Sequence, residues 1–545
     1  MGTAARLIAT QMVKAVTRVY PRACPPTPAP LDALRLSPMK YATGCFLLAL
    51  LFASALNSPS ISAELPDPSP HDLPRWRGFN LLEKFYRSHD NEAFRESDFQ
   101  LISELGFNFV RLPMDYRVWI EDGDWNQFNE AQLKHIDQAV EWGQKYSIHV
   151  LINFHRAPGY TVARPAESTD LWTDDETQRI CAKHWAMFAK RYRGIPSRYL
   201  SFNLFNEPAN VSSAAYLKVV KRMAAAIRAE DPDRLILSDG LQWGKQPIPE
   251  LAELKIAQAT RGYTPTDVTH FKASWVNGAD QYPVPSWPRV RAYGTLYVPN
   301  KPDLSVEATA AMSVIGPFRS QSQFRLHVGT VSSRATLVAK ADDQIVWQKE
   351  FVCGPGQGEW KESNFMEQWN SYQNVYDCDY HFAIPEGTGK VELSVIAGDW
   401  LSLTEVAIRS SDGDEDVLPL RPGWNEPPAR VHYDATNSAL PFVGEEVEDR
   451  SWLWDTTIVP WVNVEQQGVG VMVGEFGCHH FTPHDVVLAW MEDCLANWQR
   501  ADWGWALWNF RGTFGVMDSG RTDVDYEDFN GHQLDRKMLE LLQRY

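Results

Sequence analysis

Two glutamates carry the chemistry that the chain's residue order suggests. Glu207 closes the run Ser201-Phe202-Asn203-Leu204-Phe205-Asn206-Glu207-Pro208. Glu475 closes Val469-Gly470-Val471-Met472-Val473-Gly474-Glu475-Phe476-Gly477, far downstream. Each reads as a buried strand with one carboxylate at its carboxyl end. Proline restricts the residue before it to extended backbone, so Pro208 is expected to keep Glu207 on the strand line. Gly474 and Gly477 bracket Glu475 and remove side chains that would block close approach to the backbone. Two carboxylates opposed across one bond are what acid-assisted hydrolysis of an acetal requires.

Positioning such a pair takes a scaffold, and the rest of the chain has one. Strand-like runs begin at Arg77-Gly78-Phe79-Asn80, Gly106 to Pro113, Ile148 to His155, Ser201, Arg234 to Ser238 and Ile256 to Thr260. Helical periodicity separates them over 94–105, 130–146, 177–192 and 214–230. The Glu475 strand, a helix over 484–500, the run Trp503 to Asn509 and a closing helix over 534–545 complete the series. Apolar strands alternating with helices indicate parallel β/α architecture. Eight of them predict an α/β chain folded as a (β/α)8 TIM barrel, with a doubly wound open sheet as the alternative. Between strands six and seven the pattern changes to short alternating runs, among them Phe324 to Val328, Thr336 to Ala339, Val391 to Ile396 and Leu401 to Ile408. This predicts an all-β sandwich over 291–429 inserted into a barrel built from 64–290 and 430–545.

Working residues of such a barrel lie at the carboxyl ends of its strands. Those positions hold Arg111, His155, Asn206, Glu207, Glu475 and Trp508, with Trp243 a further ring placed for stacking.

Composition sets the outer limits. The chain has 545 residues, more than one compact domain needs, and a net charge of −17 that disfavours nucleic acid or an anionic membrane as partner. Residues 1–38 form a basic leader upstream of Met39. The segment 39–63 has signal-peptide character, and its apolar run within Cys45 to Leu56 is too short to span a bilayer. The expectation is a secreted or periplasmic product with no membrane attachment after signal cleavage. Five cysteines lie beyond the leader, with Cys353–Cys378 and Cys478–Cys494 open as bridges. Cys478-His479-His480 lacks metal-ligand spacing and reads as a solvated loop, so no metal or cofactor is expected.

Taken in order, Arg77-Gly78-Phe79-Asn80, Val110-Arg111-Leu112-Pro113, Asn153-Phe154-His155, Asn206-Glu207-Pro208, Gly474-Glu475-Phe476-Gly477 and Trp505-Ala506-Leu507-Trp508 resemble glycoside hydrolase family 5, the cellulase family. The resemblance implies a retaining double displacement, with Glu207 as acid/base and Glu475 as nucleophile. It implies Arg111 beneath the nucleophile, Asn206 on the sugar 2-hydroxyl, His155 lining the donor side and Trp508 as the sugar platform, its peptide to Asn509 held cis. Family members commonly carry His-x-Tyr after strand six. Here Arg261-Gly262-Tyr263 keeps the tyrosine, so either His270 supplies the imidazole or Arg261 binds charge on the substrate. The implied substrate is a β-1,4-linked polysaccharide or oligosaccharide cut by an endo-β-1,4-glucanase. A β-mannanase, another β-glucanase, an exo-glucosidase and a non-catalytic carbohydrate-binding barrel remain alternatives.

Overall fold

The computed structural model describes residues 64–545 apart from 88–90 and 439. The leader and the signal-peptide segment lie outside the described residues. Eight parallel strands close into a barrel. They are β1 Arg77–Asn80, β2 Phe109–Asp115, β3 His149–Ala157, β4 Leu200–Asn203, β5 Ile236–Asp239, β6 Ala257–Gly262, β7 Val471–Phe476 and β8 Trp505–Leu507. Each pairs with its sequence neighbour, and β8 pairs back onto β1. Strands β6 and β7 are adjacent in space despite the long insertion between them.

Four of the six longer helices among the described residues start at a side-chain cap. In α1 (Glu96–Glu104) no side chain caps the first turn. In α2 (Glu130–Lys145), α3 (Asp175–Arg191) and α4 (Ser213–Glu230), Asn129, Asp174 and Ser212 accept from the backbone N–H three residues on. Helices α5 (His484–Ala501) and α6 (Arg536–Arg544) follow β7 and β8, and Asp535 caps α6. Their apolar faces cover the barrel exterior through Trp185, Phe188, Tyr216, Trp490 and Leu539, all buried. The barrel's lower interior is filled by Phe109, Leu151, Leu237, Ala257, Ala259, Met472 and Ala506, with Trp76 closing the bottom and stacked on His149 at 3.8 Å. Above this layer, Asn80, Arg111, Asn203, Asn206, Asp239, Arg261 and Glu475, all buried, gather toward the mouth.

The inserted region is a ten-stranded sheet with a hydrophobic core of its own. The short runs read from the sequence are longer than they look. Phe324 to Val328 and Thr336 to Ala339 belong to one strand, Gln323–Ala341, and Val391 to Ile396 joins Leu401 to Ile408 in Lys390–Arg409. These two pair along most of their length, and bulges interrupt the register between Val328 and Val331 and between Ser332 and Ala335. Bulges bend a strand without ending it, which explains why the alternation breaks where the strand does not. Gly398 lies at the second of these irregularities with φ 98°, and a Cβ there would collide with the Arg334 carbonyl oxygen.

Cys353, Cys378, Cys478 and Cys494 are all free thiols, so neither candidate bridge forms. No helix among the described residues is long and apolar enough to cross a membrane. The Gly398 geometry leads to a direct expectation. Gly398→Val should destabilise the inserted sheet by about 2 kcal/mol, through left-handed strain and the carbonyl clash, read as a lower midpoint in thermal melts of the full chain.

Candidate active site

Arg111, on β2, rises through the barrel centre and is wholly buried. Its guanidinium donates to Glu475 at 2.6 Å, Asn80 at 3.0 Å, Asn206 at 2.8 Å and Asn203 at 3.2 Å. Asn80 in turn donates to the Gly474 and Leu507 carbonyl oxygens, fixing β1 against the strands that carry Glu475 and Trp508.

A second buried cation stands beside it. Arg261 is at the end of β6, in register with Glu475 on β7, so both side chains enter the mouth at one level. Its Nε lies 3.2 Å from Glu207 Oε1 and its Nη2 3.2 Å from Glu475 Oε1. Nη2 also donates to Asn206 Oδ1 at 2.9 Å and pairs with Asp239. One guanidinium therefore touches both glutamates, which places Glu207 and Glu475 around a single point of the mouth. Glycine makes room for it: a Cβ at Gly474 would lie 2.9 Å from Arg261 Nη1, and one at Gly244 would lie 2.7 Å from its Cγ. The reading of Arg261 as a receptor for substrate charge is overturned. Its side chain is inaccessible and its donors are taken by the protein's own carboxylates and Asn206.

Asp239 is the residue that sequence reasoning missed. It ends β5 and is fully buried. Oδ1 accepts from Asn203 at 3.0 Å, and Oδ2 accepts both Arg261 and the Glu207 backbone N–H at 2.8 Å. The signal was present as an aspartate at a strand end followed by Gly240, the same position that singles out Glu207 and Glu475.

The local backbone at Glu207 also differs from expectation. Strand β4 ends at Asn203, and Glu207 has φ 48°, in the left-handed region. Asp239 holds its N–H, and the Tyr160 hydroxyl donates to its carbonyl at 2.6 Å. These two bonds outweigh the local preference for extended geometry before proline. A non-glycine residue held there is strained and persists only where its surroundings over-determine it.

Around the pair, the Tyr263 hydroxyl donates to Glu475 Oε2 at 3.3 Å. His270 packs edge-on against Tyr263 at 5.1 Å, and its Nδ1 is bonded to the Thr269 hydroxyl at 2.9 Å, so it braces the tyrosine. His155 is buried against Phe85 at 4.3 Å and Trp508 at 5.9 Å. Trp508 is half-buried at the end of β8. Its peptide to Asn509 is not cis: every cis bond among the described residues precedes proline. Trp243 is 45% exposed, and its backbone N–H donates to the Pro208 carbonyl oxygen at 3.4 Å, which holds its main chain beside the residue that follows Glu207. His479 is buried, not solvated, bonded to the Phe271 carbonyl oxygen at 3.2 Å. Among the described residues, no three His, Cys, Asp or Glu side chains are grouped to hold a metal.

Electrostatics divides the groups. Burial, then Glu475 and Asp239, push the Glu207 carboxyl up to about 8, against the opposing pull of Arg261 and Arg111. Burial also works against the Arg261 charge, but Asp239, Glu475 and Glu207 more than offset it and hold the guanidinium firmly protonated. Burial, with Arg111 and Arg261 nearby, drives His155 well below its ordinary value, so it stays neutral. Tyr263 is pushed well above the usual phenol range by burial and by Glu475.

Residues 70–280 match the cellulase family, glycosyl hydrolase family 5. This stretch is a family 5 domain. Endoglucanase C of Acetivibrio thermocellus is 32% identical over 203 residues, covering 36% of this chain and 58% of its own. The chain thus spans little more than half the length of that curated relative. A solved structure described as a glycoside hydrolase aligns at 25% identity and TM-score 0.55, over 86% of this chain and 99% of its own. Thermotoga maritima Cel5A in complex with mannotriose shares the fold, with TM-score 0.50 at 14% identity, over 87% of this chain and 100% of its own.

The raised Glu207 value has a consequence for the family 5 domain's stability. An unfolded-state glutamate ionises near 4.3, whereas folded Glu207 keeps its proton to about pH 8. Between those values the native state binds more protons than the unfolded one, so this group's contribution to stability falls as pH rises. Glutamine cannot ionise. The stability of Glu207→Gln relative to the parent should therefore climb between about pH 5 and 8 and level off above, measured by denaturant melts. A difference independent of pH would refute the shift.

Proposed function

We propose that this chain is a retaining glycoside hydrolase that cleaves β-1,4-linked glucan internally, an endo-β-1,4-glucanase. The observation that carries the reading is the shared contact of Glu207 and Glu475 with one buried guanidinium. A retaining mechanism needs its carboxyl groups roughly 5–5.5 Å apart, and two acids bonded to the same cation are near neighbours. Glu475, held by Arg111, Arg261 and Tyr263, is the nucleophile. Its Oε attacks the anomeric carbon as the bond to the leaving oxygen breaks, and Glu207 gives that oxygen its proton. Water then attacks the glycosyl ester, Glu207 takes a proton from it, and Glu475 departs. Starting protonated is what an acid catalyst needs, and Glu207 has that state near neutral pH.

Other features fit a sugar at the mouth. Asn206 Oδ1 is held by both arginines, which leaves its Nδ2, beside the neutral His155, as the amide's donor toward a sugar 2-hydroxyl. Trp508 and Trp243 offer flat faces for stacking. Glucan polymers do not cross membranes, which places such an enzyme outside the cytoplasm. Resemblance to a protein named an endoglucanase supports glucan over mannan.

The inserted sheet, we propose, holds glycan near the barrel. Trp369 is 59% exposed and Phe365 48%, with Tyr372 5.0 Å from Phe365, on a hairpin at the sheet edge. Trp347 and Trp360 pack against the sheet's own core and Trp400 is half-buried, whereas Trp369 and Phe365 stand out together on this hairpin; Trp424, also exposed, lies elsewhere against Tyr297.

Two measurements test these readings. Product release from a panel of β-glucans and mannans should be greatest on β-1,4-glucan, fall about 10²–10⁴-fold in Glu207→Gln and vanish in Glu475→Gln. Turnover surviving in the latter removes the nucleophile assignment. Trp369→Ala with Phe365→Ala should weaken retention on insoluble glucan and leave turnover of soluble oligosaccharides unchanged; equal effects on both would dismiss the binding role.

A further inference from the structure

The two half-reactions put different charges on Glu207 and Glu475. Before glycosyl transfer Glu475 is negative and Glu207 neutral. In the glycosyl-enzyme Glu475 is an ester, and Glu207 must be negative to take a proton from water. In both states the pair carries a single negative charge, and the structure supplies the fixed charges that match it. Arg111 and Arg261 contribute two positive charges, and Asp239, buried and bonded to Arg261 and to the Glu207 N–H, contributes one negative charge. The sum is zero in each state. Without Asp239 the same arrangement carries an uncompensated cation throughout, and a cation beside a carboxyl favours its ionised form.

We propose that Asp239 and Arg261 form a charge-setting pair that keeps the mouth neutral through both half-reactions, with Asp239 a positioning residue that lets Glu207 hold its proton beside a guanidinium. This rests on the roles assigned above to Glu207 and Glu475. The pair is suited to it by geometry. Asp239 Oδ2 receives Arg261 and the Glu207 backbone together, so the same carboxylate neutralises the cation and fixes where the acid stands. Asp239 has no free oxygen for substrate, because Asn203 takes the other. The other ionisable groups facing Glu207 are Glu475 and Arg111, counted above, the Tyr160 and Tyr263 hydroxyls, both raised by burial, and neutral His155. None of these last three changes charge in the working range, so the balance falls on Asp239 and Arg261.

The experiment removes each partner in the full-length chain and follows kcat/KM against pH on β-1,4-glucan and on a nitrophenyl cellobioside, whose leaving group departs without a proton. Asp239→Asn should move the alkaline limb to lower pH by about 1–3 units. It should cost about 10²-fold or more on glucan and less than about a tenth of that on the nitrophenyl substrate. Asp239→Glu should return the limb towards the parent. Arg261→Gln should move the limb the opposite way, to higher pH, because the negative partner then stands alone. Opposite shifts in the two variants are the signature. An unmoved limb in Asp239→Asn, equal losses on both substrates, or shifts of the same sign would overturn the proposal. If Asp239→Asn fails to fold, the direction of the Arg261→Gln shift decides alone. Loss of the proposal in this way leaves the Glu475→Gln result, and the reading above, standing.

Discussion

Charge buried at the barrel mouth is the constraint on which the site depends. Arg111, Arg261, Asp239 and Glu475 are all removed from water, and desolvating such groups costs several kcal/mol each unless partners replace the solvent. Partners are supplied from six different strands or their loops: Asn80, Arg111, Asn203, Asn206, Asp239, Arg261 and Glu475 form one connected network. Only a closed barrel brings that many carboxyl ends to one place. The apolar filling beneath, from Trp76 up to Ala259, keeps water from entering below and dissolving the pairing.

The same network explains a departure from the family pattern. Arginine where family members have histidine would be an uncompensated buried cation if introduced alone. Here it meets a buried aspartate from the neighbouring strand, and two glycines clear the volume its longer side chain needs. Four features thus depend on one another: Arg261, Asp239, Gly244 and Gly474. Replacing one without the others leaves either an unpaired charge or a collision, both among the costlier errors a core can contain.

Much of this was legible from residue order because strands of a parallel barrel announce themselves as apolar runs, and their last residues face the mouth. That rule points to His155, Asn206, Glu475 and Trp508, whereas Arg111 stands mid-strand on β2 and reaches the mouth through its long side chain. It stops short where side chains choose partners across strands. Asp239 occupies an equally telling position, but only the fold shows that its two oxygens meet Asn203, Arg261 and the Glu207 backbone. Arg261 looks like a substrate ligand until its donors are seen to be taken. Glu207 adopts left-handed backbone because distant Asp239 and Tyr160 impose it, which no local preference reveals. In the inserted sheet, bulges reset the alternation within single strands, so two long strands read as four short ones.

Placing the ten-stranded sheet between β6 and β7 also sets an order of events during synthesis. Glu207, Asp239 and Arg261 leave the ribosome more than two hundred residues ahead of Glu475. Six strands with open edges must wait while a separate unit emerges and folds, since domains form as units during translation. Ring closure by β7 then joins segments remote along the chain, the kind of contact that slows folding. Glu475 is therefore among the last parts to arrive, and truncated chains ending before it would hold two arginines facing only part of their counter-charge.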